Sequence, residues 1–174
     1  MRTLNMVKRK IDSGYLKYNR KVIQKLRKIP ILEDLDKKEF QELLRISDIR
    51  QYKPGELILK EGVFDSSTYY LVSGKVRIIK DGKELVVLKR TGDIFGEMGI
   101  IDNSAKLASV YAVNRTTCLV TDISQIDQLV GENRYIISYL LFKGFSEVLA
   151  KRLKETTKAL SKAKKIIKKV GKNN

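Results

Sequence analysis

The stretch Gly-Asp-Ile-Phe-Gly-Glu-Met-Gly-Ile-Ile-Asp-Asn-Ser-Ala-Lys-Leu-Ala-Ser-Val, residues 92–110, decides the fold of this chain. Three glycines lie within its first eight residues, Glu97 follows the second glycine, and Lys106 comes nine residues after Glu97. Glycines let the backbone turn tightly and approach a ligand closely, and the free N–H groups of a helical turn attract an anion. The stretch therefore predicts a phosphate-binding loop.

Two side chains extend the prediction from a phosphate to a nucleotide. Glu97 would repel a phosphate, so it is better suited to accept hydrogen bonds from sugar hydroxyls. Lys106 lies at the head of an alternating segment, residues 105–110, from which a strand would project its ammonium over the loop. A carboxylate for the sugar and a cation for the phosphate together indicate a nucleotide site.

The same residues resemble a known cassette. Phe95 to Ile101, followed by Lys106 to Val110, is similar to the phosphate-binding cassette of the cyclic nucleotide-binding domain family, which includes catabolite activator proteins, protein kinase A regulatory subunits and cyclic nucleotide-gated channels. The resemblance runs from about Ile31 to about Lys158. It includes, in order, Pro54-Gly55-Glu56, Glu61-Gly62, Tyr70 to Val76, and Gly92-Asp93.

One departure from the family's pattern concerns the cation. The family's cassette normally has Pro-Arg where this chain has Ala105-Lys106. An Arg fork grips a phosphate through two parallel hydrogen bonds, whereas Lys offers one mobile charge. Losing one charge-assisted bond costs about 1.5–3 kcal/mol, which weakens a site on the order of 10- to 100-fold. The departure therefore concerns the ligand site and leaves the predicted fold unchanged.

The resemblance implies cyclic AMP or cyclic GMP as the ligand, with no cofactor and no catalytic or metal-ligating residue. It places the phosphate on the cassette, the ribose 2′-hydroxyl on Glu97, the base against a strand, and a Thr pair of the last helix over the base. An indifferent polar role for that Thr pair is the alternative. The implied ligand-binding residues are Gly96, Glu97, Met98, Gly99, Lys106, Leu107, Ser109, Leu71, Val72, Thr156 and Thr157.

Composition weighs against catalysis. The chain has 174 residues, 43% of them hydrophobic, which suffices for one domain with a substantial core. It has no histidine and a single cysteine, Cys118, so the commonest general base and any intramolecular disulfide are missing, and Cys118 is interpreted as a buried structural thiol. Its apolar runs are too short to span a bilayer, and the amino terminus lacks the pattern of a signal peptide. These features predict a cytoplasmic protein that is not an enzyme.

The net charge of +16 belongs to the two ends of the chain. Residues 1–29 contain ten Lys or Arg and one acid, and residues 143–174 contain eleven and two. The basic ends are either solvated faces or surfaces for a nucleic acid, an acidic protein or an anionic lipid. A helix-turn-helix domain of the catabolite activator type is not expected, because the sequence ends at Asn174.

The fold class predicted is α+β, an antiparallel β-roll, or jelly roll, flanked by amino-terminal helices and a long carboxyl-terminal helix. An amphipathic helix is predicted from Ser13 to the residue before Pro30, and a second helix from Asp36 to Ile46 with a capping box. The predicted domains are a basic segment and helix at 1–30, a cyclic nucleotide-binding domain at 31–158, and a basic extension at 159–174.

Finer elements are also predicted. Strands occupy residues 48–122, with a hairpin at Asp81-Gly82, a dipeptide that suits a type I′ turn. Ser124 and Asp127 would cap a short helix through Val130. The long helix would run from about Asn133 to about Val170.

The last helix has apolar residues at heptad spacing, which predicts a parallel homodimer. The alternative is that this helix lies on its own roll. If the seam forms the dimer, Thr156 would contribute both to the seam and to the ligand site. The heptad positions are Leu149, Leu153, Thr156, Leu160, Ala163, Ile167 and Val170.

Two functions remain open. The first is a stand-alone regulatory module that binds a cyclic nucleotide and signals by moving its last helix. The second is an interaction protein that has kept the fold, lost the ligand and works through its basic termini.

Overall fold

The computed structural model describes residues 10–11, 20–33, 35–129 and 131–170. They divide into two compact units, one up to Ser138 and one from Tyr139 onward, which are described separately below. The predicted amino-terminal helix begins at Arg20 within the described residues, and its expected first part, residues 13–19, lies outside them.

Among the described residues of the first unit, nine antiparallel strands form two sheets. The five-stranded sheet has the order β1-β2-β9-β4-β7, and the four-stranded sheet has the order β3-β8-β5-β6. This architecture confirms the predicted β-roll. The strands are β1 Lys10–Ile11, β2 Ser47–Tyr52, β3 Leu57–Leu59, β4 Ser67–Ser73, β5 Val76–Lys80, β6 Lys83–Leu88, β7 Ile94–Phe95, β8 Ser109–Ala112 and β9 Thr116–Asp122.

The core of the roll lies between the two sheets. Tyr69 of β4 stacks on Phe95 of β7 with ring centroids 5.1 Å apart, and Cys118 lies in the same cluster. Burial raises the pKa of the Cys118 thiol to about 12, so the thiol is protonated and unreactive at neutral pH. The prediction of a buried structural cysteine is confirmed.

Five α-helices accompany the strands among the described residues. Helix α1 ends at Leu26 and not at the predicted residue before Pro30, because Pro30 opens a separate short helix, as proline can at a first helical position. The helices are α1 Arg20–Leu26, α2 Pro30–Glu33, α3 Lys37–Arg45, α4 Met98–Ile101 and α5 Asn133–Val170.

Local capping predictions had mixed outcomes. The capping box of α3 is confirmed, since Asp36 accepts from the Glu39 N–H at 2.8 Å and Glu39 accepts from the Asp36 N–H at 2.7 Å. The predicted caps Ser124 and Asp127 are wrong. The segment Ile123–Gln128 is a 3₁₀ helix capped by Asp122, whose carboxylate already accepts from the Ser124 N–H.

The predicted hairpin at Asp81-Gly82 is confirmed. Both residues have positive φ, 49° and 75°, as a type I′ turn requires. The turn connects β5 to β6, which is one of the two edge strands of the four-stranded sheet.

Helix α5 runs from Asn133 to Val170, close to the predicted bounds. Every residue from Leu153 to Lys168 is exposed. Within the described part of the chain, no helix combines the length and the apolar character needed to cross a membrane.

Candidate functional site

The loop between β7 and β8 depends on a glycine that no other residue could replace without strain. Gly96 has φ +84°, and a Cβ there would lie 3.0 Å from Leu59 Cδ1 and 3.2 Å from Tyr69 Cδ2. The chain therefore turns sharply at Gly96 against the core of the roll. This turn brings Glu97 to the start of α4, where its carbonyl accepts from the Ile100 N–H at 3.0 Å.

A second glycine closes the other side of the loop. A Cβ on Gly99 would lie 2.6 Å from the Ser104 carbonyl oxygen, and the Ser104 N–H donates to the Gly99 carbonyl at 3.0 Å. Helix α4 is thus packed directly against the segment that leads to Lys106. The loop from Gly96 to Lys106 is therefore closely packed.

The side chain of Lys106 points into the protein and contacts the backbone of this loop. Its ammonium donates to the Gly96 carbonyl at 2.7 Å and to the Ser67 carbonyl at 2.9 Å, and the residue is only 3% exposed. Strand β8 begins at Ser109, so Lys106 precedes the strand and does not stand at its head as predicted. Its backbone instead bridges to the loop before β4, where it exchanges hydrogen bonds with Gly62 and Val63.

The surroundings of this ammonium are polar and negatively charged. Burial lowers the pKa of Lys106, and the carboxylates of Asp65 and Glu97 oppose that shift. Asp65 also accepts from the Ser67 N–H at 2.6 Å, which fixes the carboxylate beside the carbonyl that Lys106 binds. Sequence reasoning missed Asp65, because an Asp before two serines in a loop is typical of an ordinary turn.

Glu97 is fully buried, with 0% of its surface exposed. Burial raises the pKa of the Tyr70 hydroxyl, and the charge of Glu97 raises it further, so the two side chains interact. The Tyr70 hydroxyl is itself buried and has no hydrogen-bond partner among the residues that the structure describes. Sequence reasoning did not predict this interaction of Tyr70, since a tyrosine within an apolar strand is typical of a core residue.

The remaining predicted residues are spread over several environments. Leu71 belongs to the core cluster of the roll, whereas Val72 lies at a register shift of β4 and is also buried. The Ser109 hydroxyl accepts from the Glu61 N–H at 3.0 Å. Two predicted residues of the cassette, Met98 and Leu107, are exposed.

Thr156 and Thr157 lie in the exposed part of α5, in the second compact unit. The structure brings together Gly96, Glu97, Gly99 and Lys106. The roles of all the predicted contact residues remain predictions.

The fold and the loop define a class of ligand-binding protein. Residues 49–133 match the model of the cyclic nucleotide-binding domain. Residues 49–133 therefore belong to the cyclic nucleotide-binding domain family, as the cassette implied.

Similar proteins lie in this family. The cAMP-dependent protein kinase regulatory subunit of Schizosaccharomyces pombe is 29% identical over 106 residues, which are 61% of this chain and 26% of that protein. Human cGMP-dependent protein kinase 2 is 27% identical over 121 residues, which are 66% of this chain and 16% of that protein. The chain thus spans about a quarter or less of the length of these relatives.

A solved structure with a similar fold is the catabolite activator protein of Thermus thermophilus. It is 28% identical, with a TM-score of 0.61, and the match covers 76% of this chain and 62% of that one. The two chains are therefore similar in overall fold as well as in sequence.

Proposed function

We propose that this protein is a cytoplasmic, non-enzymatic regulatory module that binds cyclic AMP or cyclic GMP and signals by repositioning its carboxyl-terminal helix. The observation behind the proposal is the compact loop in which Lys106 lies 2.7 Å from the Gly96 carbonyl, beside the carboxylate of Glu97. The similarity to cAMP- and cGMP-dependent kinase proteins supports a cyclic nucleotide and does not select the base.

Each part of the ligand has a residue of suitable chemistry. The N–H groups of Gly96 to Gly99 would face the phosphate, and the Lys106 ammonium has a third N–H bond beyond the two that bind carbonyls. Glu97 would accept from the ribose 2′-hydroxyl. The apolar contacts to the base would come from Leu71 and Val72.

Further contacts are proposed at the edges of the site. Met98, Leu107 and Ser109 would complete the cassette, and Thr156 with Thr157 would form the lid. Since Glu97 and Lys106 are both buried, ligand entry requires the loop to move. That movement would be coupled to the last helix.

Displacement of a fluorescent cyclic AMP analogue tests the proposal. We expect saturable binding, with displacement by cyclic AMP or cyclic GMP and much weaker displacement by 5′-AMP, which lacks the cyclic phosphodiester. If the analogue does not bind, or if 5′-AMP competes as well as the cyclic nucleotides, the proposed ligand class is wrong.

Lys106→Arg should tighten nucleotide binding about tenfold or more. A guanidinium has five N–H donors in a planar fork, so it can keep a carbonyl contact while it binds the phosphate through two parallel bonds. The same displacement assay measures the effect, with Lys106→Met as the control that keeps the length and removes the charge. A loss of affinity in Lys106→Arg would show that Lys106 binds the backbone carbonyls or a different ligand and does not bind the phosphate.

The second candidate function is an interaction protein that has kept the fold and lost the ligand. The inward position of Lys106 favours it, because its ammonium already binds two backbone carbonyls. Such a protein would work through its basic termini on a nucleic acid or an acidic protein. Absence of nucleotide binding in both the wild type and Lys106→Arg would favour this function.

The parallel homodimer stays a prediction. Leu153 and Leu160 of the heptad seam are 68% and 54% exposed, so they are accessible to a second copy. If the seam forms the dimer, the double variant Leu153→Ser, Leu160→Ser should sediment as a monomer in analytical ultracentrifugation while the wild type sediments as a dimer. A dimer that persists in the double variant would exclude this seam.

A further inference from the structure

The exposed segment of α5, residues 153–168, includes a row of large apolar side chains in contact with solvent. Leu153 and Ile167 are 68% and 70% exposed, and Leu160 and Ile166 are each 54% exposed. Contiguous exposed apolar surface of this kind usually marks an interaction site.

Apolar and basic residues occupy opposite sides of this segment. At about 100° per residue, the apolar and small residues fall within an arc of about 140°, and the lysines fall within an arc of about 160°. The first arc contains Leu153, Thr156, Ala159, Leu160, Ala163, Ile166 and Ile167. The second contains Lys154, Lys158, Lys162, Lys164, Lys165 and Lys168.

The apolar arc is wider than the seam of a two-stranded coiled coil. Ile166 falls at a g position, so a parallel partner helix would leave it at the rim. The core d positions are Thr156 and Ala163, which are weak seam residues. The lysines of two parallel copies would repel each other, because Glu155 is the one acidic residue in this segment.

A nucleic acid or an acidic protein would neutralise the charge of the lysines but would leave the apolar arc exposed to water. An anionic bilayer matches both arcs at once, because lysine stems reach toward the headgroups while the apolar face enters the acyl boundary. We propose that residues 153–168 dock on the surface of an anionic lipid bilayer, with the helix lying in the plane of the interface. This proposal does not depend on nucleotide binding.

Co-sedimentation of the full chain with lipid vesicles tests the proposal. Vesicles of phosphatidylcholine with about 30% phosphatidylserine should bind the protein at least tenfold more tightly than vesicles of phosphatidylcholine alone. Ile166→Ser should weaken binding to the anionic vesicles about tenfold, because it removes apolar surface from the acyl boundary. The matched control is Ser161→Ala, a change on the lysine side that should leave binding unchanged.

Three results would overturn the proposal. The first is equal or absent binding to the two kinds of vesicle. The second is an Ile166→Ser variant that binds the anionic vesicles as tightly as Ser161→Ala does. In that case the charge of the lysines alone would explain the binding, and the apolar arc would not enter the bilayer. The third is a wild-type protein that binds no vesicles but forms a dimer, with the dimer lost in Leu160→Ser. That result would assign the apolar face to a second copy of the chain.

Discussion

Replacing Glu97 with alanine should weaken cyclic nucleotide binding about 100-fold or more while the protein stays folded. Glu97 is fully buried beside the Gly96 turn, and its carboxylate would accept charge-assisted hydrogen bonds from the ribose. Each such bond contributes about 1.5–3 kcal/mol, and each 1.4 kcal/mol is about a factor of ten in affinity. Displacement titration measures the affinity, and circular dichroism checks the fold.

The role of Glu97 can be separated from general damage to the loop. The control ligand is 2′-deoxy cyclic AMP, which lacks the hydroxyl that Glu97 would bind. Wild-type protein should bind it much more weakly than cyclic AMP, whereas Glu97→Ala should bind the two nucleotides equally. Equal discrimination by the two proteins would remove Glu97 from the ribose site.

Gly74→Ala should lower the free energy of unfolding by about 3 kcal/mol or more. Gly74 has φ +98°, and a Cβ would lie 2.6 Å from Thr116 Oγ1 and 2.7 Å from the Arg115 carbonyl oxygen. The left-handed conformation costs roughly 1–2 kcal/mol for a residue with a Cβ, and overpacking adds roughly 1–3 kcal/mol. Denaturation in urea measures the difference.

Gly55 offers a matched control for this effect. It also has a positive φ, +80°, but a Cβ there would meet nothing within 4 Å. Gly55→Ala should therefore lose only the conformational part, about 1 kcal/mol. If the two variants lose the same free energy of unfolding, the close approach of Gly74 to Thr116 does not contribute to the effect.

Several features predicted correctly from the sequence are decided by neighbouring residues. The capping box joins Asp36 to Glu39, three positions away, and the type I′ turn needs only Asp81-Gly82. The tight turn at Gly96, which has φ 84°, was predicted from the three glycines of residues 92–99. Signals of this range are visible in a sequence because the interacting groups are themselves adjacent.

The features that escaped prediction depend on distant residues. Lys106 turns inward because the Ser67 carbonyl, 39 positions earlier, lies within 2.9 Å of its ammonium. The interaction of Tyr70 with Glu97 likewise arises only when β4 pairs with β7. The wrong caps at Ser124 and Asp127 had a different cause, because Asp122, at the end of β9, accepts the hydrogen bonds instead.

Isothermal titration of the full chain with cyclic AMP and cyclic GMP in parallel tests the central claim most directly. Moderate salt suppresses nonspecific attraction to the basic ends. The account predicts saturable binding of at least one of them, with one site per protomer and a Kd on the order of micromolar. No heat from either nucleotide would contradict it, and would mean that the loop from Gly96 to Lys106 does not form a cyclic nucleotide site.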